Sequence, residues 1–328
     1  MLRNIRFRAV LLLLASTLCA GAVAVGAPAT AAVSCSGVQV YPGAWTIQRA
    51  VSAHGSETTF CLHDGTYGIR TPIVPKSGDA FVGVYSDASR PVIDGGRRPS
   101  VKWIINADRA ARVKVRNLRV RNAYGPGKAI DKQAGRGIWG GPGLQVTNVR
   151  FFGNMQSGIG GGGGGWVITH SQFFGNGSAR YLGCCSGAVK SGSHYTVIGS
   201  IAMNNIGNGF WCDAGCEGGR WIVKNNVALH NASAGIRYEM SSAGAVIQDN
   251  IVKHNNIPAN GGDGGIAVNS SSNATVYSNT LGGNVKGGIV FVGGRLPLRN
   301  NRASHNSLGG DALKGCGSNA LCVANTRH

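Results

Sequence analysis

Two carboxylates in a chain that is poor in acids are the first candidates for chemistry. Asp213 lies in "GNGFWCDAGCEGG" and Glu239 in "SAGIRYEMS", and the whole chain has 13 Asp and Glu residues. A pair of carboxylates can divide the roles of nucleophile or base and of general acid when a glycosidic bond is cleaved. The same pair could instead chelate a hard cation such as Ca²⁺, with Asn269 adding an oxygen.

The residues near these acids suit an acidic sugar. Trp211 and Arg237 each precede one of the acids by two positions, which places them on the same face of a strand. An aromatic platform beside a guanidinium could hold a sugar ring that carries a carboxylate. Further candidates for substrate contacts are Lys190, Tyr238 and His194.

Each of these residues also has a simpler interpretation. Asp213 and Glu239 could be solvated turn acids, one of them paired with Arg237. Trp211 could cover the wall of the fold, and Lys190 could be an ordinary surface lysine. The sequence requires no cofactor. If a metal binds, its ligands would be Asp213, Glu239 and Asn269, with the loop acid Asp263 as a further contributor.

A repeat indicates the elements that position these side chains. Eight segments of alternating apolar and polar residues each close on an asparagine, and the closing residues lie 22–32 positions apart. A coil of this length cannot bury its own apolar face, so successive coils must stack. We therefore predict an all-β fold, a right-handed parallel β-helix. The closing residues are Asn122, Asn154, Asn176, Asn205, Asn231, Asn255, Asn284 and Asn306.

The repeat also predicts a register between coils. Counting from a recurrent glycine places Asp213 and Glu239 at equivalent positions of neighbouring coils, with Lys190 one residue out of phase. Neighbouring strands lie about 4.7–4.9 Å apart, so the two carboxyl groups would approach to roughly 5 Å, a separation typical of retaining glycosidases. The predicted column is Gly162, Ser191, Asp213, Glu239, Asn269 and Val292.

The N-terminus has the pattern of an export signal. Arg3, Arg6 and Arg8 precede an apolar run and a small-residue segment, so we expect residues 1–31 to be a signal peptide and the mature protein to be secreted. No later segment is apolar enough to span a membrane. Without those arginines the chain keeps 29 Lys and Arg against 13 Asp and Glu, a net charge of +16. This charge favours an anionic partner such as a cell-wall polymer. The basic residues are scattered, so no nucleic-acid motif is evident, and a monomer is the default expectation.

The eight remaining cysteines predict disulfides, as is usual for exported proteins. Position along the chain suggests Cys35–Cys61, which flank the N-terminal segment, and Cys316–Cys322, which lie close together near the C-terminus. The middle four would pair across, each of Cys184 and Cys185 with one of Cys212 and Cys216. Alternatively, those four thiols could hold a zinc ion.

Two segments resemble known β-helix proteins. "WTIQRAVSAHGSETTFCLHDGTY" (45–67) resembles the start of pectate-lyase-like β-helix proteins, where a short helix caps the solenoid; Ile47, Ala50 and Val51 would face the first coil. "GNGFWCDAGC" followed by "SAGIRYEMS" is similar to a Trp-x-Asp and Tyr-Glu-x-Ser coil pair of actinobacterial secreted β-helix repeat proteins. The eight coils and a leading cap predict one domain over 32–328, with an N-terminal cap and leading strand to about 75, coils over 76–306 and a C-terminal cap with a local disulfide over 307–328.

The favoured hypothesis is a secreted enzyme that cleaves glycosidic bonds of an anionic polysaccharide. Hydrolysis by Asp213 and Glu239 is preferred because both acids then have direct roles. A metal-dependent lyase, in which a basic residue abstracts a proton, is one alternative. A non-catalytic β-solenoid that binds carbohydrate or cell surfaces is the other, because this fold hosts both kinds of function.

Overall fold

The computed structural model of the protein describes residues 33–85, 89–125, 134–178, 185–256, 264–295, 297–317 and 320–326. The expected signal peptide (1–31), Cys184 and Asp263 lie outside the described residues. Within these ranges, no helix is long and apolar enough to cross a membrane.

Short strands wind into a parallel β-solenoid of about ten turns. Each complete turn contributes one strand to each of three sheets, and every strand pairing within the sheets is parallel. A residue therefore lies beside its equivalent one turn away, which is why a sequence repeat can specify a column of side chains. The predicted all-β solenoid is confirmed.

The three sheets have the following strands, in sheet order. The first sheet contains β1 (Val38–Val40), β2 (Thr59–Leu62), β4 (Ala80–Gly83), β7 (Lys114–Arg116), β10 (Gln145–Thr147), β13 (Trp166–Thr169), β16 (Tyr195–Ile198), β19 (Trp221–Lys224), β22 (Ala245–Gln248), β25 (Ala274–Tyr277), β28 (Arg302–Ser304) and β30 (Leu321–Val323). The second contains β3 (Thr66–Gly68), β5 (Val92–Asp94), β8 (Arg119–Arg121), β11 (Arg150–Phe152), β14 (Gln172–Phe174), β17 (Ile201–Met203), β20 (Val227–Leu229), β23 (Ile251–Lys253) and β26 (Thr280–Gly282). The third contains β6 (Trp103–Asn106), β9 (Arg136–Trp139), β12 (Ser157–Gly161), β15 (Gly187–Ser193), β18 (Asn208–Glu217), β21 (Ile236–Glu239), β24 (Ile266–Asn269), β27 (Ile289–Val292) and β29 (Leu313–Lys314).

A short helix closes the N-terminal end. The helix α1 (Thr46–Ala53) buries Ile47 and Val51, and Ala50 packs partly against the same core. The three apolar residues recur with helical spacing, which puts them on one face of the helix. The predicted capping helix and its buried face are therefore present.

At one corner of the solenoid, asparagine side chains of successive coils form a hydrogen-bonded ladder. In each rung, the Nδ2 of one asparagine donates to the Oδ1 of the next at 2.9–3.1 Å. The ladder ends on Asp311, whose Oδ2 accepts from the amide of Asn284 at 2.7 Å. Its members are Asn154, Asn176, Asn205, Asn231, Asn255 and Asn284.

Two of the closing asparagines do not belong to this ladder. Asn306 is part of a second ladder with Asn226, Asn250, Asn279 and Asn325. In the first coil the ladder position is Ala123, whose N–H donates to Asn154, and Asn122 precedes it. The residues with a left-handed backbone (positive φ) come one position earlier in the chain than the ladder asparagines, at Asn204 and His230 for example. The ladder asparagines thus act through their side-chain amides rather than through an unusual backbone conformation.

The disulfide pattern corrects part of the prediction. Cys35–Cys61 and Cys316–Cys322 are bonded, with Cα atoms 5.7 and 5.8 Å apart. Cys212, however, is bonded to Cys216, at a Cα distance of 5.5 Å, instead of pairing across to Cys184 or Cys185. The reason is a local bulge. Cys212 and Glu217 pair with Ser191 and Ser193 of the preceding strand, so β18 has three extra residues between these two pairs. This loop brings the two thiols together. Cys185 is also disulfide-bonded, so a zinc site made of these thiols is excluded.

Candidate active site

The candidate residues meet on the outer face of the third sheet. Lys190, Trp211 and Arg237 are direct partners in three consecutive strands and form one row across the sheet. Cys212 pairs with Tyr238, so the residues that follow them, Asp213 and Glu239, lie side by side in a second row.

The structure corrects the predicted column at one position. Ser191 pairs with Cys212, so Gly192 is the residue in line with Asp213. Lys190 is consequently in phase with Trp211 rather than one residue out. Asn269 and Val292 follow Glu239 in register as predicted. The error arose at the insertion before β15, where counting along the chain no longer follows the ladder.

Lys190 and Asp213 form a largely buried ion pair. The Lys190 Nζ lies 2.9 Å from Asp213 Oδ2, and the two side chains are 16% and 15% exposed. The same ammonium lies 4.0 Å from the centre of the Trp211 ring, a cation–π contact. Burial lowers the pKa of Lys190, and nearby Arg136 adds to this effect while Asp213 opposes it. The other oxygen, Asp213 Oδ1, is buried and has no hydrogen-bond partner among the described residues.

Glu239 is held by donors on both of its oxygens. Its Oε2 accepts a hydrogen bond from Trp211 Nε1 at 3.1 Å. Its Oε1 accepts from Arg237 Nη2 and, at 3.4 Å, from Asn269 Nδ2. The Arg237 guanidinium lies 5.2 Å from the centre of the Trp211 ring, so the indole contacts a cation from each neighbouring coil.

These contacts separate the roles of the two acids. Indole and guanidinium groups donate hydrogen bonds and cannot accept them. Both Glu239 oxygens are therefore acceptors, an arrangement that orients Trp211 and Arg237 and leaves no oxygen placed to give up a proton. Asp213 contacts Lys190 through one oxygen and keeps the other uncommitted. Neither acid is a solvated turn residue, because their side chains are 12–15% exposed.

Two other predicted contacts lie elsewhere. Tyr238 faces the interior and is fully buried, because it alternates with Arg237 and Glu239 along β21. Its hydroxyl donates to Ser241 Oγ, and burial raises its pKa, so the prediction that it contacts substrate is wrong. His194 follows the end of β15, where its Nδ1 lies 2.9 Å from the Glu217 carbonyl oxygen. It therefore supports the bulge next to Asp213.

The three proposed metal ligands do not fit Ca²⁺ in this arrangement. Calcium needs six to eight oxygen ligands. Asn269 turns its amide N–H toward Glu239, and its oxygen already accepts from Ser270. Lys190 and Arg237 already contribute positive charge to the two carboxylates. Across the described part of the chain, no cluster of three His, Cys, Asp or Glu side chains converges to hold a metal.

Sequence reasoning missed two residues in the same region. The Arg136 guanidinium stacks 4.5 Å from the centre of the Trp139 ring, and its Nε donates to Gln156 Oε1. Burial lowers its pKa to about 9, so it remains a cation at neutral pH. Trp139 is in the row of Lys190 and Trp211, through Gly160. The available signal was the motif "GRGIW" (135–139), which has the same pattern as "GNGFW" (207–211).

Comparison with known proteins agrees with this architecture. The family described as "Right handed beta helix region" matches residues 103–262. The fold is that of the pectate-lyase-like right-handed parallel β-helix superfamily. The predicted right-handed parallel β-helix fold is thereby confirmed. No curated protein matches the β-helix significantly in sequence.

Three solved structures illustrate the similarity of this β-helix to others. The GH136 lacto-N-biosidase from Eubacterium ramulus has a TM-score of 0.61 at 11% identity, covering 89% of this chain and 68% of that one. Pectate lyase Pel9A has a TM-score of 0.54 at 16% identity, covering 88% and 80%. The A-module of the Azotobacter vinelandii mannuronan C-5 epimerase AlgE4 has a TM-score of 0.50 at 14% identity, covering 89% and 92%. At identities this low, the structural similarity establishes a shared fold and nothing more. The three names describe three different reactions.

Proposed function

We propose that the protein is a polysaccharide lyase that acts on an acidic polysaccharide, with Lys190 as the base. The observation that carries this proposal is the buried Lys190–Asp213 pair beside Trp211. A lysine can act as a general base when burial brings its pKa closer to the working pH, and burial lowers the pKa of Lys190. A glycosidase would instead need one of the acids as a proton donor, which the donors around Glu239 disfavour.

The reaction would be β-elimination at a uronate. The neutral Lys190 Nζ takes the proton from C5, the carbon next to the carboxylate. The electron pair of that C–H bond forms the C4=C5 double bond, and the C4–O bond breaks. The leaving oxygen takes up a proton from solvent, so one new chain end and one unsaturated uronate are produced. Asp213 holds Lys190 in position and stabilises the ammonium after proton transfer.

The neighbouring residues would recognise the substrate. Arg237, oriented by Glu239, would contact the uronate carboxylate, whose negative charge increases at the transition state. The indole edge of Trp211 would limit where the sugar ring sits, since its faces are occupied by Lys190 and Arg237. A sugar without the carboxylate would lose the charge-assisted contact and should bind more weakly.

Three general properties support an anionic substrate outside the cell. The whole chain carries a net charge of +19, which attracts polyanions. Its disulfides are typical of exported proteins, and secretion through the signal peptide at 1–31 is part of the proposal. Two of the structurally similar proteins are named for pectate and for mannuronan, both acidic polysaccharides.

A substrate panel tests the proposal. The oxidised protein is incubated with acidic and neutral polysaccharides, with and without added calcium or chelator. Two products are followed together, new reducing ends and the ultraviolet absorbance of unsaturated uronates. Both signals should appear on at least one acidic polymer and on no neutral one. The Lys224→Ala variant, which changes an exposed lysine of β19, should match the wild type.

The remaining outcomes identify the alternatives. Reducing ends without absorbance would replace the lyase with the paired-carboxylate hydrolase of Asp213 and Glu239. Tight binding to one polymer without any product would identify a carbohydrate-binding β-solenoid. Loss of both signals in chelator would show that the protein needs a metal, whose ligands would then lie outside the set tested above.

A further inference from the structure

A bare strip of backbone lies directly beside Asp213. Gly161 pairs with Ser191 and Ser191 with Cys212, so the next residues, Gly162 and Gly192, continue the row of Asp213 into the two preceding coils. A side chain at Gly162 would meet no heavy atom within 4 Å, and one at Gly192 only the Asp213 carbonyl oxygen at 3.8 Å. Neither glycine has a left-handed backbone. Neither packing nor backbone geometry therefore requires a glycine at these positions.

One edge of this strip contains a buried cation, Arg136, that meets no carboxylate in the described part of the chain. Arg136 is 6% exposed, and its guanidinium fills the place that a side chain at Gly160 would take. Gly160 is the direct ladder partner of Lys190. The described residues place no carboxylate against Arg136, whose side chain contacts Gln156 Oε1 and the Trp139 ring. Burying a charge without an opposite charge is costly, so this site favours an anion.

Two buried polar groups on β12 and just before it, the strand against which Arg136 packs, have no partner in the described structure either. The Nε2 of Gln156 and the hydroxyl of Ser157 are fully buried and have no hydrogen-bond partner among the described residues. Ser157 is the ladder partner of Arg136, and Gln156 precedes it in the chain. Buried polar groups in folded proteins nearly always have a partner. These groups lie below the surface, so Arg136, at 6% exposure, is the member of this set that an anion outside the sheet could contact.

The geometry points to a second sugar subsite on this strip. We infer that one acidic sugar ring lies over Gly162 and Gly192, with its carboxylate bound by the Arg136 guanidinium at Gly160. The sugar chain would then run from this subsite across Asp213 and Lys190 toward Arg237. The assignment of the ligand as a uronate rests on the proposed function, whereas the anion requirement rests on the buried Arg136 cation.

The open space at the two glycines gives a clean test. Gly162→Leu and Gly192→Leu should fold normally, because a Cβ has room there and the backbone is ordinary. Gly68→Leu is the matched control, since Gly68 is in a strand as Gly192 is, has ordinary φ and has open space around its Cβ, but lies in the second sheet. Calorimetry with short oligogalacturonates and oligomannuronates should show at least a tenfold weaker affinity for the first two variants. Unchanged affinity in both would overturn the subsite.

A second variant tests the anion requirement. Arg136→Gln should remove the preference for uronate oligomers over the same oligomers with their carboxylates reduced to alcohols. A preference that persists would overturn the role of Arg136. Wild-type binding that is sensitive to Gly162→Leu, without cleavage of any polymer, would support the subsite while rejecting the lyase. Cleavage that is lost in Lys190→Ala but unaffected by Gly162→Leu and Gly192→Leu would support the lyase and reject the subsite.

Discussion

Asn231 and Asp213 lie on consecutive coils, but their side chains differ in how many of their polar groups have a partner. The Asn231 side chain accepts from Asn205 and donates to Asn255 and to the Ala202 carbonyl, each at 2.9 Å. Asp213 has one oxygen on Lys190 and the other buried without a partner in the described structure. The solenoid geometry gives the Asn231 side chain a partner for each group in the ladder, whereas on the outer face of the third sheet it leaves one oxygen of Asp213 without a hydrogen bond in the described structure.

This difference indicates which region stabilises the fold and which one is placed for chemistry. A ladder in which each amide both donates and accepts can repeat indefinitely and requires no ligand. A row of buried cations and acids with unmatched groups costs stability, and such sites are characteristic of functional regions. Changes in the ladder should therefore lower stability more than activity per folded molecule, and changes in the row should do the opposite.

The largest effect is expected at Lys190. Lys190→Ala should lower kcat/KM by about a hundredfold to ten-thousandfold, the range for loss of a general base. The rate of formation of unsaturated product measures it, with Lys224→Ala as the control. A loss of less than about tenfold would mean that Lys190 is not the base.

The ladder should show the opposite response. Asn231→Ala removes two donated bonds and leaves the Asn205 amide without its acceptor, so the free energy of unfolding should fall by about 3 kcal/mol. Chemical denaturation measures this change. Gln248→Ala, on the outward side of β22, is the control and should change stability little. If Asn231→Ala left stability intact but removed the activity of the folded fraction, the division between the two regions would be wrong.

The Cys212–Cys216 bond joins the two regions, since it closes the loop that follows Asp213. Because the closed loop is short, replacing both cysteines by serine should cost about 2 kcal/mol, against about 3.5 kcal/mol for Cys35–Cys61. Loss of the Cys212–Cys216 bond should therefore lower stability less, but kcat/KM more, than loss of the Cys35–Cys61 bond. Thermal unfolding and product formation on both double variants measure the two quantities, and equal activities would contradict a positioning role for the loop.

The smallest effect is a shift in pH dependence. A base must be unprotonated, so activity should rise with pH through the pKa of Lys190, which burial places below its usual value. Asp213 raises that pKa and Arg136 lowers it. Asp213→Asn should therefore move the midpoint of kcat/KM to lower pH and Arg136→Gln to higher pH, each by about one unit or less. Shifts in the same direction would exclude Lys190 as the titrating group.

The sequence predicts the fold because every coil repeats the same alternation of inward and outward residues. The same repeat predicts that Asp213 and Glu239 are neighbours, since β18 and β21 keep a common register up to these residues. It fails where insertions interrupt the count. The insertion before β15 displaced Lys190 by one residue, and the one before β9 hid the similarity of Trp139 to Trp211.

Other features depend on contacts that no repeat specifies. The Cys212–Cys216 bond follows from a bulge in one coil only, so spacing alone suggested the wrong partners. Tyr238 was assigned to the surface although it alternates with Arg237 and Glu239, and the structure buries it. The separate roles of the two acids arise from their hydrogen-bond donors, which come from four consecutive coils.

The fate of the hydrogen on C5 of the uronate tests most directly whether Lys190 abstracts a proton. The wild-type protein is incubated with the uronate oligomer that it cleaves, and the products are followed by proton nuclear magnetic resonance. Removal of the C5 proton predicts that the H5 signal disappears from the new non-reducing end while a vinyl H4 signal appears, and that Lys190→Ala yields neither change. Cleaved products that all retain H5 would contradict proton abstraction and point to hydrolysis by Asp213 and Glu239.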